Sequence, residues 1–156
     1  MIDLRRVLVP VDFSKHAEHA LLYGAALARR FNAELFLLHV LQDVTLYQPD
    51  AVNISPPVIP PLEELSAAAR QGLERLAAQQ KLPGAVHCDV REGTPVEEII
   101  DYAKETNIDL VVIGTHGRGW LAHAFLGSTA EKVVRKAPCP VLTVRLAEHE
   151  FVTPEE

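Results

Sequence analysis

The residues best suited to carry chemistry lie in a glycine-rich stretch near the end of the chain. Gly114 and Gly117 follow the apolar run 110–113, and Gly127-Ser128-Thr129 opens a helical pattern. The apolar positions of that helix are Ala130, Val133, Val134 and Ala137. A strand that ends in glycines before a new helix gathers backbone N–H groups and the positive end of the helix dipole at one point. Glycine permits close approach, and the two hydroxyls can donate to phosphate oxygens. The stretch therefore predicts a nucleotide phosphate site.

A second candidate group follows the first apolar run, at Pro10-Val11-Asp12-Phe13-Ser14. In open α/β sheets the ligand binds at the carboxyl ends of the strands, where the strand order reverses. If the first and fourth strands are neighbours there, Asp12 and the glycine stretch face one crevice. The Asp12 carboxylate can accept hydrogen bonds from a ribose hydroxyl or an adenine amine, or help to hold a divalent cation. The alternative is an Asx-turn or helix N-cap role, although Ser14 is the better cap.

These two groups must be positioned by an alternation of strands and helices. Continuous or alternating apolar runs predict five strands, at 7–11, 35–40, 86–90, 110–113 and 141–144. Helical patterns lie between them. Five strands interleaved with four helices predict an α/β fold, a single doubly wound domain whose parallel sheet has helices on both faces.

The helices carry recognisable faces and ends. Asn32 predicts a left-handed stop for the first helix, and Thr94-Pro95-Val96-Glu97 predicts a capping box for the third. The inward residues of the first helix are predicted to be Ala17, Ala20, Leu21, Gly24, Leu27, Ala28 and Phe31. Those of the second are Leu62, Leu65, Ala69, Leu73 and Leu76, and those of the third are Val96, Ile99, Ile100 and Ala103.

Composition bounds the remaining possibilities. The chain has 156 residues, a formal net charge of −6 and two cysteines. We expect one domain over 1–146, with a proline-rich loop at 42–61, either a lid or an ordinary insertion, and an acidic tail at 147–156. The negative charge argues against nucleic acid as a partner, and no apolar stretch approaches the ~20 residues that cross a membrane. With no signal-peptide pattern, and with Cys88 and Cys139 expected to be buried thiols, a cytoplasmic location is predicted.

Together these motifs resemble the universal stress protein family (UspA-like) in its ATP-binding subclass. The match is carried by 7–12, His39-Val40, 109–118, 127–133 and 139–144. Gly114-Thr115-His116-Gly117, nine residues and then Gly127-Ser128 fit the G-x2-G-x9-G-[ST] signature of that subclass. The resemblance covers nearly the whole chain except the proline-rich loop and the acidic tail.

The resemblance implies a strand order of 3-2-1-4-5, ATP binding and a homodimer formed through the last strand, 141–145. It places one group of residues at the adenine and ribose end: Pro10, Val11, Asp12 and Val40. A second group would pass beneath the ribose and the first phosphates: Ile113, Gly114 and Gly117. A third would hold the outer phosphates: Gly127, Ser128 and Thr129.

Several neighbouring side chains have more than one interpretation. Arg118 can face a phosphate or lie solvated on the surface. His116 is better explained by packing or hydrogen bonding in the loop than by base catalysis, and His39 by a satisfied position at the rim. The apolar stretch 120–126 can pack on the domain or face a partner protein. The histidines and cysteines show no spacing that supports a zinc site.

The function favoured by these residues is ATP-binding stress response or regulation, through a nucleotide-dependent interaction or conformational switch. ATP, or ADP or AMP, would carry Mg²⁺ or Mn²⁺. The chain lacks the G-x-x-x-x-G-K-[ST] loop, and no water-activating pair accompanies the glycines, which favours retention of the nucleotide over turnover. The alternative is a slow ATPase or an enzyme that phosphorylates itself at Ser128 or Thr129. We also predict that Gly127→Val abolishes ATP binding without affecting the fold, because the side chain would occupy phosphate space.

Overall fold

The computed structural model describes residues 1–42, 60–81, 84–116, 126–146 and 152. Within these residues the five predicted strands and four predicted helices are present, in the predicted order. The strands are β1 Arg6–Pro10, β2 Glu34–Leu41, β3 Val86–Glu92, β4 Leu110–Gly114 and β5 Val141–Val144. The helices are α1 Lys15–Phe31, α2 Leu62–Gln79, α3 Pro95–Glu105 and α4 Ser128–Lys136. Most of the proline-rich loop (43–59) and of the acidic tail lies outside the described residues.

The strands form one parallel sheet in the order β3-β2-β1-β4-β5, which confirms the predicted fold class and strand order. β1 is central and pairs with β2 on one side and β4 on the other, as in the registers Leu8↔Phe36 and Leu8↔Val111. The order reverses between β1 and β4. The carboxyl ends of these two strands therefore border the crevice in which α/β sheets bind ligands.

Two hydrophobic cores lie on the two faces of the sheet. On one face, Val7, Val9 and Leu37 pack with the buried residues of α1 and with Leu73 of α2. On the other face, buried sheet residues such as Leu8 pack with the apolar residues of α3 and α4. Both faces are buried because each crossover places its helix over the sheet, and the three inner strands β1, β2 and β4 are accordingly almost continuously apolar.

The predicted helix ends are confirmed in part. Ser14 caps α1, its hydroxyl accepting from the Ala17 amide at 3.2 Å, and Asn32 ends the same helix with a φ of 53°. The capping box at α3 is wrong, because the Thr94 side chain makes no capping hydrogen bond. Pro95 still takes the first position of that helix, where its missing N–H has no partner to lose.

Two residues predicted to face inward, Phe31 and Leu62, are exposed, and so is Val134, an apolar position of the last helical pattern. Phe31 ends α1 and is 38% exposed, and Leu62 begins α2 and is 47% exposed. Val134 is 46% exposed while its neighbour Val133 is fully buried. Adjacent helical residues point about 100° apart, so α4, with 3.6 residues per turn, buries one of the two valines and exposes the other. No helix in the described part of the chain is long and apolar enough to span a bilayer.

Candidate functional site

A cavity of about 550 Å³ opens at the carboxyl ends of β1, β2 and β4. Its volume lies within the ~300–1,000 Å³ range of small-molecule sites. The N-terminal turns of α1, α3 and α4 border it, so the positive ends of three helix dipoles lie near one space. The predicted site residues that line it are Pro10, Val11, Asp12, Val40, Ile113, Gly114, Gly127, Ser128 and Thr129. The two other predicted residues, Gly117 and Arg118, lie outside the described residues, as does the apolar stretch up to Phe125.

Close backbone contacts explain the glycines of the corner between β4 and α4. A Cβ on Gly114 would lie 2.8 Å from the His16 carbonyl oxygen, and one on Gly127 would lie 2.7 Å from the Thr115 carbonyl oxygen. Thr115 also accepts a hydrogen bond from the Gly127 amide, at 2.5 Å. The glycines therefore allow α1, β4 and α4 to meet. The expectation that Gly127→Val leaves the fold intact is wrong, since the added side chain meets backbone.

The N-terminus of α4 has no side-chain cap among the described residues. Gly127 occupies the N-cap position, and the first backbone bond of the helix runs from the Glu131 amide to the Gly127 carbonyl, at 2.9 Å. The amides of 128–130 precede that bond and have no intrahelical partner. All three of these residues line the cavity. This turn can therefore offer backbone donors to an anion.

The corner between β1 and α1 is arranged differently. Asp12 Oδ1 accepts a hydrogen bond from the Ser14 amide at 3.0 Å, which is the Asx-turn that the sequence left open. The Ser14 hydroxyl caps α1. Asp12 also lines the cavity, so the Asx-turn is compatible with the ligand-facing role that the sequence predicts.

Histidines lie between these two corners. The rings of His16, in the first turn of α1, and His116, after β4, are 5.2 Å apart, and His116 Nδ1 lies 2.9 Å from the Thr115 hydroxyl. Burial lowers the pKa of His16; His116 and His19 lower it further, and Asp12 acts in the opposite direction. On the opposite wall, His39 Nδ1 lies 2.7 Å from the Val11 carbonyl oxygen. His39 and His116 thus have the hydrogen-bonding roles favoured from the sequence.

The sequence analysis missed part of the cavity wall. Beyond the expected His39-Val40, Leu38 of β2 and Gln42, just after that strand, line the cavity, and the first turns of α3 contribute Pro95 and Ile99. The available signal was positional, because α3 follows β3 at the same edge of the sheet. Its side chains carry no phosphate-binding pattern and gave no chemical signal.

The cysteines and the described carboxylates form no metal centre. No group of three or more potential ligands occurs within the described ranges. Cys88 and Cys139 were expected to be buried; both are free thiols and only half-buried. Their partial burial raises the pKa of both thiols. A raised pKa reduces the thiolate fraction and hence thiol reactivity.

Comparison with known proteins yields consistent matches. The model of the universal stress protein family matches residues 3–145. A universal stress protein from Methanocaldococcus jannaschii is 31% identical over 155 residues, covering 94% of this chain and 85% of its own. The solved structure of UspA from Lactobacillus plantarum is 31% identical with a TM-score of 0.73, covering 93% of this chain and all of the other. A universal stress protein from Archaeoglobus fulgidus, solved in complex with dAMP, is 25% identical with a TM-score of 0.60, covering 92% and 98%.

Proposed function

The chain belongs to the universal stress protein family, and from this premise we propose that it binds an adenine nucleotide, ATP foremost, as a stress-response regulator. The observation that carries the proposal is the N-terminus of α4, which no side chain of the described residues caps and which opens into a cavity of about 550 Å³. Backbone donors and a helix dipole at one point favour a phosphate group. The Archaeoglobus fulgidus relative that was solved with dAMP supports the nucleotide class.

In this proposal the two corners of the cavity hold opposite ends of the nucleotide. A carboxylate has two oxygens and about four acceptor positions, so Asp12 can accept the Ser14 amide and a ribose hydroxyl together. Pro10, Val11 and Val40 complete the nucleoside end. Ile113, Gly114 and Gly117 would lie beneath the ribose and first phosphates, with Arg118 near the phosphates. The outer phosphates would be held by Gly127, Ser128 and Thr129.

We propose that Mg²⁺ or Mn²⁺ enters on the triphosphate. The described residues that line the cavity include the carboxylate of Asp12 but no cluster of three metal-binding side chains. Phosphate oxygens and water are ligands that Mg²⁺ readily combines with one or two carboxylates. The cation would neutralise charge on the nucleotide, and the helix amides would fix its orientation.

A short chain of hydrogen bonds supports a switch role for the bound nucleotide. The buried residue Thr115 accepts from the Gly127 amide at 2.5 Å and donates its own amide to the Val144 carbonyl at 3.1 Å. Val144 ends β5, an edge strand of the sheet. A phosphate that orders the start of α4 would therefore act within two hydrogen bonds of the edge strand.

We propose that this edge, 141–145, forms a homodimer. Val141, Leu142 and Thr143 are half-buried in the single chain, and an apolar edge strand presents unpaired backbone groups to a second copy. Thr143→Lys should weaken the dimer, because it adds a charge to the contact, and analytical ultracentrifugation measures the loss. Glu92→Lys, exposed on β3 at the opposite edge, is the matched control. An unchanged assembly in Thr143→Lys would exclude this interface.

The binding proposal is tested by identifying the small molecule that the purified protein releases on acid precipitation, using mass spectrometry. Isothermal titration of the nucleotide-free protein with ATP, ADP, AMP and inorganic triphosphate then ranks the ligands. We expect ATP to bind and to remain largely unhydrolysed during a single-turnover incubation with labelled nucleotide. Several turnovers per minute would assign the chain to the enzyme alternative, and no binding of any adenine nucleotide would overturn the proposal.

A further inference from the structure

The residue between Asp12 and Ser14 has an unfavourable backbone conformation. Phe13 has a φ of 61°, in the left-handed region that glycine and asparagine adopt readily and bulky residues rarely do. Such a conformation persists only where the surroundings determine it, and it concentrates at ligand-binding sites. Phe13 follows Asp12, which lines the cavity. The contacts that fix the Phe13 conformation therefore affect the cavity wall.

The Phe13 side chain is held between α2 and the end of β2. Its ring centroid lies 4.8 Å from that of His39, whose Nδ1 lies 2.7 Å from the Val11 carbonyl oxygen. On the other side, a Cβ built on Gly72 of α2 would lie 2.7 Å from Phe13 Cε1 and 3.0 Å from Cζ. The ring therefore occupies the space that any side chain at position 72 would need. Glycine is unfavourable inside a helix. The contact with the Phe13 ring explains why position 72 is nevertheless glycine.

The conformation of Phe13 places one hydrogen-bond donor to the Asp12 carboxylate. The Ser14 amide that holds Asp12 Oδ1, at 3.0 Å, is attached to the peptide that follows Phe13. A change in the φ of Phe13 would turn that amide relative to Asp12 and break this hydrogen bond.

We propose that Phe13 is a positioning residue for Asp12, and that Gly72 sets its position, so that α2 controls the carboxylate at the nucleoside end of the cavity. The effect of Phe13 and Gly72 on the Asp12–Ser14 hydrogen bond does not depend on nucleotide binding. Its consequence for nucleotide affinity rests on the proposed function.

The main test is Gly72→Ala in the full chain. The added methyl must displace the Phe13 ring, whereas alanine favours the helix itself. We expect the Ser14 amide to shift in ¹H–¹⁵N spectra and to exchange faster, and ATP affinity to fall about tenfold, the loss expected for one hydrogen bond to a charged group. Gln71→Ala, exposed on the same helix turn, is the control and should change neither readout.

A double-mutant cycle separates positioning from a general effect on α2. In the Phe13→Gly variant, glycine can adopt a φ of 61° without strain and the ring is absent. Adding Gly72→Ala to this variant should therefore cause no further loss of ATP affinity. Equal losses in both backgrounds would overturn the proposal, because Gly72 would then act independently of Phe13. If Gly72→Ala fails to fold, the Phe13→Gly variant alone tests the proposal. The Ser14 amide should exchange its hydrogen faster in this variant than in the wild-type chain. An unchanged exchange rate would overturn the proposal.

The two proposals fail differently. Absence of nucleotide binding by the wild-type chain would overturn the proposed function, while the Ser14 amide would still report whether Gly72 positions Asp12 through Phe13. Conversely, normal ATP binding together with an unchanged Ser14 amide in Gly72→Ala would overturn the positioning role alone.

Discussion

The two corners that border the cavity differ in how the first backbone amides of their helices find hydrogen-bond partners. At the β1–α1 corner, side chains satisfy the start of the helix: the Ser14 hydroxyl accepts from Ala17, and Asp12 accepts from Ser14. At the β4–α4 corner, Gly127 occupies the N-cap and no described side chain caps the helix. The start of α1 thus has a side-chain cap, whereas the start of α4 has none among the described residues.

The comparison shows that a helix N-terminus at a sheet edge is not by itself an anion site. Its amides serve a ligand only where the neighbouring side chains leave them without partners. In the proposed function the first corner therefore offers a carboxylate to the nucleotide, and the second offers backbone amides. Side-chain truncation tests the first, whereas the backbone donors of the second are tested by substitutions that move backbone.

The largest effect is expected at the backbone corner, from Gly127→Ala. The new Cβ would lie 2.7 Å from the Thr115 carbonyl oxygen, so α4 must shift. We expect about 1–3 kcal/mol loss in the free energy of unfolding, from overpacking, together with loss of ATP and triphosphate binding. Urea denaturation and calorimetry measure both. Gly84→Ala is the matched control, since its Cβ would lie 3.3 Å from the Ala33 carbonyl oxygen, away from the cavity. Unchanged triphosphate affinity in Gly127→Ala would remove the backbone corner from the site.

At the side-chain corner, Asp12→Ala should lower ATP affinity about 10- to 100-fold, because a hydrogen bond to a charged group is lost. Binding of inorganic triphosphate should change little, since the phosphates would lie at the other corner. Titration of both ligands against both proteins provides the comparison. Equal losses for ATP and triphosphate would assign Asp12 to the metal ion instead.

Ser14→Ala separates the cap from the carboxylate. Loss of the hydroxyl that caps α1 should lower the free energy of unfolding by about 1 kcal/mol. ATP affinity should remain at the wild-type value, because the Ser14 amide still donates to Asp12. Thermal denaturation and calorimetry test the two statements. A drop in affinity as large as that of Asp12→Ala would mean that the cap and the carboxylate act as one unit.

The smallest effect is expected where the two corners touch, at His16. Its folded-state pKa is lowered, chiefly by burial and then by His116, so below the unfolded value of about 6.5 the unfolded chain binds more protons. Stability should therefore fall as the pH drops through about 6.5, and His16→Asn should reduce that fall. Thermal denaturation of both proteins across this range measures it. An NMR titration midpoint of His16 at or above about 6.5 would contradict the prediction.

Much of the fold was predictable because its signals are local. Apolar runs predicted the strands to within one or two residues at each end, and Ser14 and Asn32 predicted the two ends of α1. The strand order came from resemblance to a family, since periodicity does not say which strands are neighbours. The capping box predicted at Thr94 and Glu97 is absent, because a suitable pair of residues does not ensure that the Thr94 side chain turns toward the helix amides.

The candidate site was predictable where chemistry and spacing coincide, as at Asp12 and Gly114, and not where packing decides. Pro95 and Ile99 gave no chemical signal because an apolar wall has no motif. Gly72 was also missed, since its importance lies in a contact with Phe13, far away in the chain.

The order and type of the elements, and the presence of glycines and a carboxylate after β4 and β1, were determined by the amino-acid sequence alone. Periodicity, capping and turn preferences act over a few neighbouring residues, so they can be inferred without coordinates. Only the tertiary structure decided which helix start lacks a cap and why Gly127 and Gly72 carry no side chain. Those outcomes depend on distances between atoms that are remote along the chain, and close packing sets such distances only when every element is in place.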